Sequence, residues 1–282
     1  MLEQITQAAL RQRLQAFLDS DRHFARMRGS HSGPVVIFAS GPSAGAFPLE
    51  RYRHLPMFAV NGSIVRFVEH DIHPLFYLCD DAGFVSARLP LAVQGVAWAQ
   101  QAAFGYDALK TLLEMAPDSV EGQSVYLMQR VNRPLEGEPL SNRRYSWSVR
   151  NDPDIECGFS LLRQKPNRIG FSRDMSKGYF GGRTIPYAGL QMAYHLGFDK
   201  VFLVGFDLNA HPGRFYEQGE QALNSRLDDD YGGYILPSFE LMARRVINPA
   251  FQVYNLSGES RLPATLVPKI GLDQLDELLA SV

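Results

Sequence analysis

Two short apolar runs, each closed by a small polar loop, constrain the fold of this chain more than any other feature. Val35-Val36-Ile37-Phe38-Ala39 leads into Ser40-Gly41-Pro42-Ser43-Ala44-Gly45, and Phe58-Ala59-Val60 leads into Asn61-Gly62-Ser63. Both runs are too short for helices and are rich in β-branched or aromatic residues, which reads as buried strands. The loops behind them free backbone N–H groups and small hydroxyls. They lie at the carboxyl edge of a sheet, where open α/β folds bind ligands. Gly41, Pro42, Ser43, Asn61, Gly62 and Ser63 are therefore candidate nucleotide-binding residues.

The rest of the chain continues the same order. Strands are expected at 34–39, 57–60, 74–79, 124–129, 168–171, 200–205 and 251–254, with helices at 61–70, 185–197 and 233–247. Alternating strands and helices predict a mainly parallel sheet, right-handed crossovers and helices on both faces. Residues 1–30 form an N-terminal segment whose 2–28 stretch reads as an amphipathic helix, with Ile5, Leu10, Leu14, Phe17 and Leu18 on a stripe and arginines elsewhere. Such a helix packs on the domain or lies on an anionic lipid surface. Residues 31–282 read as one Rossmann-like domain, interrupted by a Pro-, Arg- and Asn-rich insertion or lid at about 131–167.

Composition excludes several classes. At 282 residues and 45% hydrophobic content the chain can bury a full core, and a formal charge of −2 excludes general nucleic-acid binding. Two cysteines form neither a disulfide framework nor a thiolate metal site. No stretch has the apolar length of a membrane span and no secretory signal is evident, so a cytoplasmic protein is expected. Arginines crowd the middle of the chain, and an acidic stretch with Asp228, Asp229 and Asp230 follows.

Several loops carry possible chemistry. The first lacks both a Walker lysine and Gly-x-Gly-x-x-Gly, but Gly41-Pro42-Ser43-Ala44-Gly45 fits Gly-x-Ser-x-Gly and makes Ser43 a candidate hydrolase nucleophile. Asp80-Asp81 closes a strand as an acidic metal motif would. Adjacent strand residues point to opposite faces, however, so hydrogen bonding or helix capping competes with ligation and no metal is expected. Thr184 is the expected N-cap of the next long helix, whose positive end attracts anions, with Arg183 and Lys177 nearby. Asp207 and His211 follow the strand at 200–205, and His211 has the titration range of a general base. His195, near a helix C-terminus, reads as structural.

With these residues in view, the chain resembles the RfaZ/WaaZ lipopolysaccharide core biosynthesis family. The likeness is carried by Val36–Ser43 with Ala59–Ser63, by Ile169–Tyr179 with Arg183-Thr184-Ile185, and by Gly205-Phe206-Asp207-Leu208, Arg214-Phe215-Tyr216 and Tyr254-Asn255-Leu256-Ser257. It spans most of 34–257 in order and is poor in the N-terminal helix and the insertion. The resemblance implies transfer of a further Kdo, an eight-carbon acidic sugar, from CMP-Kdo to the lipopolysaccharide inner core. More distantly, the Gly-Pro-Ser loop, Asn61 and Gly205-x-Asp207 resemble bacterial CMP-sialic-acid sialyltransferases, which have one Rossmann-like domain of GT-A-variant type and need no metal. That likeness implies that Gly41, Ser43, Asn61 and Thr184 meet the CMP. The sialyltransferase catalytic histidine lies in a lid, whereas the corresponding stretch here, about 225–238, has no histidine. His211, Asp207 and Asp81 are the substitutes, His211 first.

The reading so assembled is an inverting, metal-independent Kdo transferase without a cofactor, peripheral on the inner leaflet of a Gram-negative inner membrane. Ser43, Thr184, Arg183 and Tyr216 would meet the leaving phosphate, Arg173 and Lys177 the sugar carboxylate, with Asp80 also at the donor. The partners expected are CMP-Kdo and inner-core lipopolysaccharide; the oligomeric state stays open. The alternatives are a sialyltransferase-like enzyme for another CMP-sugar, a non-catalytic accessory protein of core assembly, and a serine hydrolase built on Ser43.

Overall fold

The computed structural model describes residues 7–19, 24–134, 137–209, 215 and 227–280. Its centre is a seven-stranded, wholly parallel sheet. The strands are β1 (Pro34–Phe38), β2 (Met57–Val60), β3 (Phe76–Cys79), β4 (Gln101–Gly105), β5 (Val125–Met128), β8 (Lys200–Val204) and β9 (Gln252–Asn255), in the order β5-β4-β3-β2-β1-β8-β9. The chain builds outward from β1 to β5, then crosses back to the other side of β1. The strand order thus reverses between β1 and β8, and a crevice opens there at the carboxyl edge.

The strands are apolar on both faces because both faces are covered. Side chains alternate: Val35 and Ile37 enter one core with Phe58 and Val60, while Val36 and Phe38 enter the other with Met57 and Ala59. The first core is closed by α7 (Ile185–Leu196) and α9 (Leu236–Arg245). The second is closed by α1 (Gln7–Asp19), α2 (Ile64–Glu69), α3 (Ala82–Ala87), α4 (Leu89–Trp98), α5 (Tyr106–Met115) and α10 (Leu272–Ala280).

Three expectations need correction, and the insertion gains detail. The N-terminal helix is shorter than 2–28: α1 ends at Asp19, and 24–27 is a separate 3₁₀ turn. Leu10 and Leu14 on α1 are 2% and 1% exposed, and Phe24 is buried in the opposite core. The strand expected at 168–171 is β7 (Gly170–Ser172), which pairs antiparallel with β6 (Ile155–Cys157) and lies outside the main sheet. The insertion is structured, since it holds α6 (Asn142–Ser148) and β6. Finally, β4 carried no strand signal, because Gln101-Ala102-Ala103-Phe104-Gly105 has little of the β-branched character that marks its neighbours.

Side chains of α7 hold the β6–β7 hairpin and the loop after it. Gln191 is fully buried; its Oε1 accepts from the N–H groups of Ser172 and Phe180, each at 2.9 Å. Its Nε2 donates to the carbonyls of Phe180 (2.8 Å) and Tyr187 (3.0 Å). His195 makes a similar bridge, accepting from Met175 N–H and donating to Phe24 O, and its burial lowers its pKa. Gln191→Leu strands two buried N–H groups and is expected to cost about 2–6 kcal/mol, measured from the urea midpoint.

The hairpin's outer end is an ion-pair cluster. Hydrogen bonds from Arg28 and Lys177 hold the Asp154 carboxyl down at about 2. That value lies below the unfolded one, so the cluster's contribution is complete above about pH 4 and is lost as pH falls toward 2. Melting temperatures between pH 5 and pH 2 should therefore fall less steeply for Asp154→Asn than for the unsubstituted protein.

Candidate functional site

The crevice at the strand reversal has a volume of about 1130 Å³. Its floor and walls come from the carboxyl ends of five strands: Ser40 and Gly41 after β1, Asn61 after β2, Asp80 and Asp81 after β3, Arg130 after β5, and 205–209 after β8. The fourth wall is the loop 179–184 with the first residues of α7. This is the placement that parallel topology requires of a ligand site.

The loops after β1 and β8 interlock across the reversal. Gly41 N–H donates to Gly205 O at 2.9 Å, and Ser43 N–H donates to Asp207 Oδ2 at 3.0 Å. A methyl group at Gly41 would overlap both Asp207 Oδ2 and Gly205 O, so only glycine allows this approach. Ser43 Oγ donates to Ser257 Oγ at 2.9 Å, which also accepts from Phe206 N–H. The Ser43 hydroxyl is therefore committed to a second serine, and among the described residues no histidine lines the crevice. That arrangement does not make Ser43 an activated nucleophile.

Among the described residues, the carboxylate and amide acceptors Asp207 Oδ1 and Asn61 Oδ1 in the crevice are buried without a hydrogen-bond partner. Asn61 holds φ at +50°, in the left-handed region that asparagine tolerates. An unpaired acceptor in a buried position is costly, and a ligand donor would relieve it. Gly62 and Ser63 are buried behind Asn61; Ser63 Oγ accepts from Val60 N–H and donates to Phe38 O, tying β2 to β1. Ser63 thus acts on the fold, and Pro42 begins a 3₁₀ turn off the crevice wall.

The two adjacent aspartates diverge. Asp81 caps α3, accepting from Phe84 N–H at 3.0 Å. Asp80 pairs with Arg130 through Nε (3.2 Å) and Nη2 (2.8 Å), in space left by the absent side chain of Gly105. Burial pushes the Asp80 pKa up, while Arg130 and the neighbouring Tyr179 hydroxyl draw it back. Among the described residues no three metal-binding side chains converge.

Cations gather at the α7 end of the crevice, with the Asp230 carboxylate 3.9 Å from Arg183 Nε. Thr184 is the N-cap of α7, but its hydroxyl makes no capping bond and remains available beside the positive end of the helix. Arg183 (φ +59°), Arg168 and Lys165 surround Tyr234, 5.0, 5.7 and 5.7 Å from its ring centre. Tyr234 sits in a π-helical turn, Tyr231–Ile235, just before α9, a deviation that recurs at functional sites.

Two expected site residues are elsewhere. Arg173 is paired with Glu156 at 3.0 Å and donates to the carbonyls of Pro153 and Arg245. Lys177 is paired with Asp152 and Asp154 at 2.7 and 2.8 Å. Both brace the hairpin and neither lines the crevice. His211 and Tyr216 lie outside the described residues. Arg130 and Arg168 were missed as site residues; Arg130 follows β5 at the carboxyl edge, whereas Arg168 comes from a 3₁₀ turn before β7, outside the main sheet.

The Asp80–Arg130 pair carries a pH signature. Because the folded Asp80 pKa exceeds the unfolded value, ionisation opposes folding as pH rises through the carboxylate range. Arg130→Gln removes the compensating charge, so its loss of melting temperature should be larger at pH 7.5 than at pH 4.5. The double variant Asp80→Asn/Arg130→Gln should lose that difference.

Known proteins share both the sequence and the architecture. A curated relative from Escherichia coli K12, a probable 3-deoxy-manno-octulosonic acid transferase, is 26% identical over 251 residues, covering 86% of this chain and 84% of its own. A protein of the same description from Salmonella typhimurium LT2 is 26% identical over 242 residues, covering 86% and 88%. In fold, the chain is similar to the MAf glycosyltransferase from Magnetospirillum magneticum AMB-1, with a TM-score of 0.50 and 14% identity over 90% of this chain and 38% of that one. The family model for the 3-deoxy-D-manno-octulosonic acid transferase WaaZ matches residues 20–273, and the chain belongs to that family.

Proposed function

We propose that this member of the Kdo transferase family moves Kdo from CMP-Kdo to a hydroxyl of the lipopolysaccharide inner core, with inversion and without a metal. The observation that carries the reading is the crevice itself: unpaired acceptors on Asn61 after β2 and Asp207 after β8 share it with the N-terminus of α7 and Arg183. A nucleoside monophosphate is asymmetric in the same sense, with hydrogen-bond donors on its base and ribose and an anion at the other end.

In this reading Gly41 lets the backbone approach the nucleotide and Asn61 Oδ1 accepts from it. Breaking the bond from the sugar's anomeric carbon to the CMP phosphate leaves negative charge on that phosphate. Thr184, Arg183 and the positive end of α7 are placed to receive it. Arg168, beside Tyr234, is the cation for the sugar carboxylate in place of Arg173 and Lys177. The acceptor hydroxyl loses its proton as it attacks the opposite face of the anomeric carbon. Asp207, whose Oδ1 is unpaired among the described residues, and His211, four positions later in the sequence, are the two bases to be separated by substitution. The Arg130 partnership of Asp80 and the capping role of Asp81 favour a metal-free site.

The test is transfer from CMP-Kdo, generated in place, to purified inner-core acceptor, read as CMP release and as a mass gain of one Kdo residue. Excess chelator should leave the rate unchanged; a rate abolished by chelator and restored by Mg²⁺ overturns metal independence. Thr184→Ala should lower turnover roughly a hundred- to a thousandfold without lowering the melting temperature. Of Asp207→Asn and His211→Asn, the variant that loses the acid limb of the pH–rate profile identifies the base.

A further inference from the structure

The structured insertion carries an apolar surface with no internal explanation. Of the large hydrophobic side chains exposed among the described residues, all but Met115 fall between 140 and 162. Trp147 is 55% exposed on α6, and Leu161 and Leu162 are 69% and 92% exposed on the following loop. On α1, Leu10 and Leu14 are spent on the core.

The loop is held in this shape. Asn167 is buried at its base; its Oδ1 accepts from Ser160 N–H, and its Nδ2 donates to the carbonyls of Ser160 and Arg163. Ser146 Oγ on α6 donates to Gly158 O, fixing the helix against the loop. The rings of Trp147 and Phe159 stand 5.6 Å apart, which joins the two pieces into one face. A buried asparagine thus uses both ends of its amide to fix a loop whose tip presents two leucines to solvent. Chance exposure of flexible residues would not need that anchor.

Charge decides what covers the face. Arg143, Arg144 and Arg163 are exposed beside it, and none of their guanidinium groups has a partner among the described residues. Arg150 lies over the Trp147 ring at 4.1 Å. Between 140 and 167 the acids, Asp152, Asp154 and Glu156, are consumed by Lys177, Arg28, Arg173 and Arg245. Protruding leucines and an amphipathic tryptophan ringed by free arginines complement an anionic lipid interface, where apolar tips enter the acyl boundary and guanidinium groups meet headgroup phosphates.

We propose that α6 and the loop 158–164 form the face by which this protein docks on an anionic bilayer. The same insertion reaches the crevice, since Asn142, Tyr145 and Asn167 are among its lining residues. Docking there sets the opening against the membrane, where a lipid-anchored acceptor would enter. That purpose rests on the proposed function, whereas the lipid binding does not.

The test is flotation of the full chain with vesicles of phosphatidylethanolamine and phosphatidylglycerol, against vesicles of phosphatidylcholine alone. The expected result is binding to the anionic vesicles that weakens with added salt. The double variant Leu161→Ser/Leu162→Ser should bind about tenfold more weakly or worse. Arg143→Gln/Arg144→Gln should bind more weakly and lose much of the salt dependence. All these positions are exposed, and unchanged melting temperatures will show that the variants fold. Equal binding to neutral vesicles, no binding to either, or leucine variants that bind like the unsubstituted protein overturns the proposal. So does a dimer in solution that the leucine substitutions dissociate, which would make the face an interface between copies. Transfer to delipidated core saccharide should be the same for the leucine variant and the unsubstituted protein. Failure of all transfer with intact vesicle binding would count against the proposed function alone.

Discussion

The carboxylate of Asp207 fastens the loop after β1 to the loop after β8, and the shape of the crevice at the strand reversal depends on that contact. Neighbouring strands that begin a sheet's two halves send their chains in opposite directions, so their carboxyl-end loops diverge. Here the divergence is limited by Gly41 N–H on Gly205 O and Ser43 N–H on Asp207 Oδ2. A serine relay, Ser43 to Ser257 with Phe206 N–H on the same oxygen, locks the second layer. One oxygen of Asp207 is thereby structural while the other stays unpaired in the cavity. Its fold role and its proposed chemical role use different atoms of one side chain.

Charge is sorted around this interlock. Acids and arginines that pair tightly, Arg28, Lys177 and Arg173 with Asp154, Asp152 and Glu156, stabilise the hairpin on the far side of α7. Cations placed around an aromatic ring, Lys165, Arg168 and Arg183 about Tyr234, stay beside the crevice. A guanidinium against a ring keeps donors for an incoming anion that one locked on a carboxylate does not, and of these cations Arg183 also lies 3.9 Å from Asp230. The buried amide of Gln191 connects the two regions, because it fixes both the hairpin edge and the loop that carries Arg183.

Much of this was legible in the residues. The runs ending at Phe38 and Val60 gave their strands and loops because short β-branched stretches closed by glycine and asparagine have few other uses, and β2 spans 57–60 as expected. Parallel order followed from the alternation of elements. What failed was long-range partnership. Arg173 and Lys177 read as anion ligands because an isolated cation in a glycine-rich stretch invites that reading. The alternation Asp152, Asp154, Glu156, which places acids along one side of an extended segment, was the signal that they were already matched. Arg130 went unnoticed as a site residue because its partner Asp80 is fifty positions away in sequence. β4 was hidden by alanines, which fit a crowded sheet between α-helices without announcing a strand.

The central claim is that the β1–β8 crevice holds the nucleotide of a CMP-activated acidic sugar. Calorimetric titration of the protein with CMP, in the presence of chelator and with UMP and GMP as controls, tests it most directly when paired with Gly41→Ala. The account predicts selective CMP binding in the unsubstituted protein and its loss in a folded Gly41→Ala, whose methyl group displaces the Asp207 interlock. No binding of CMP, or CMP binding that Gly41→Ala leaves untouched, would contradict it.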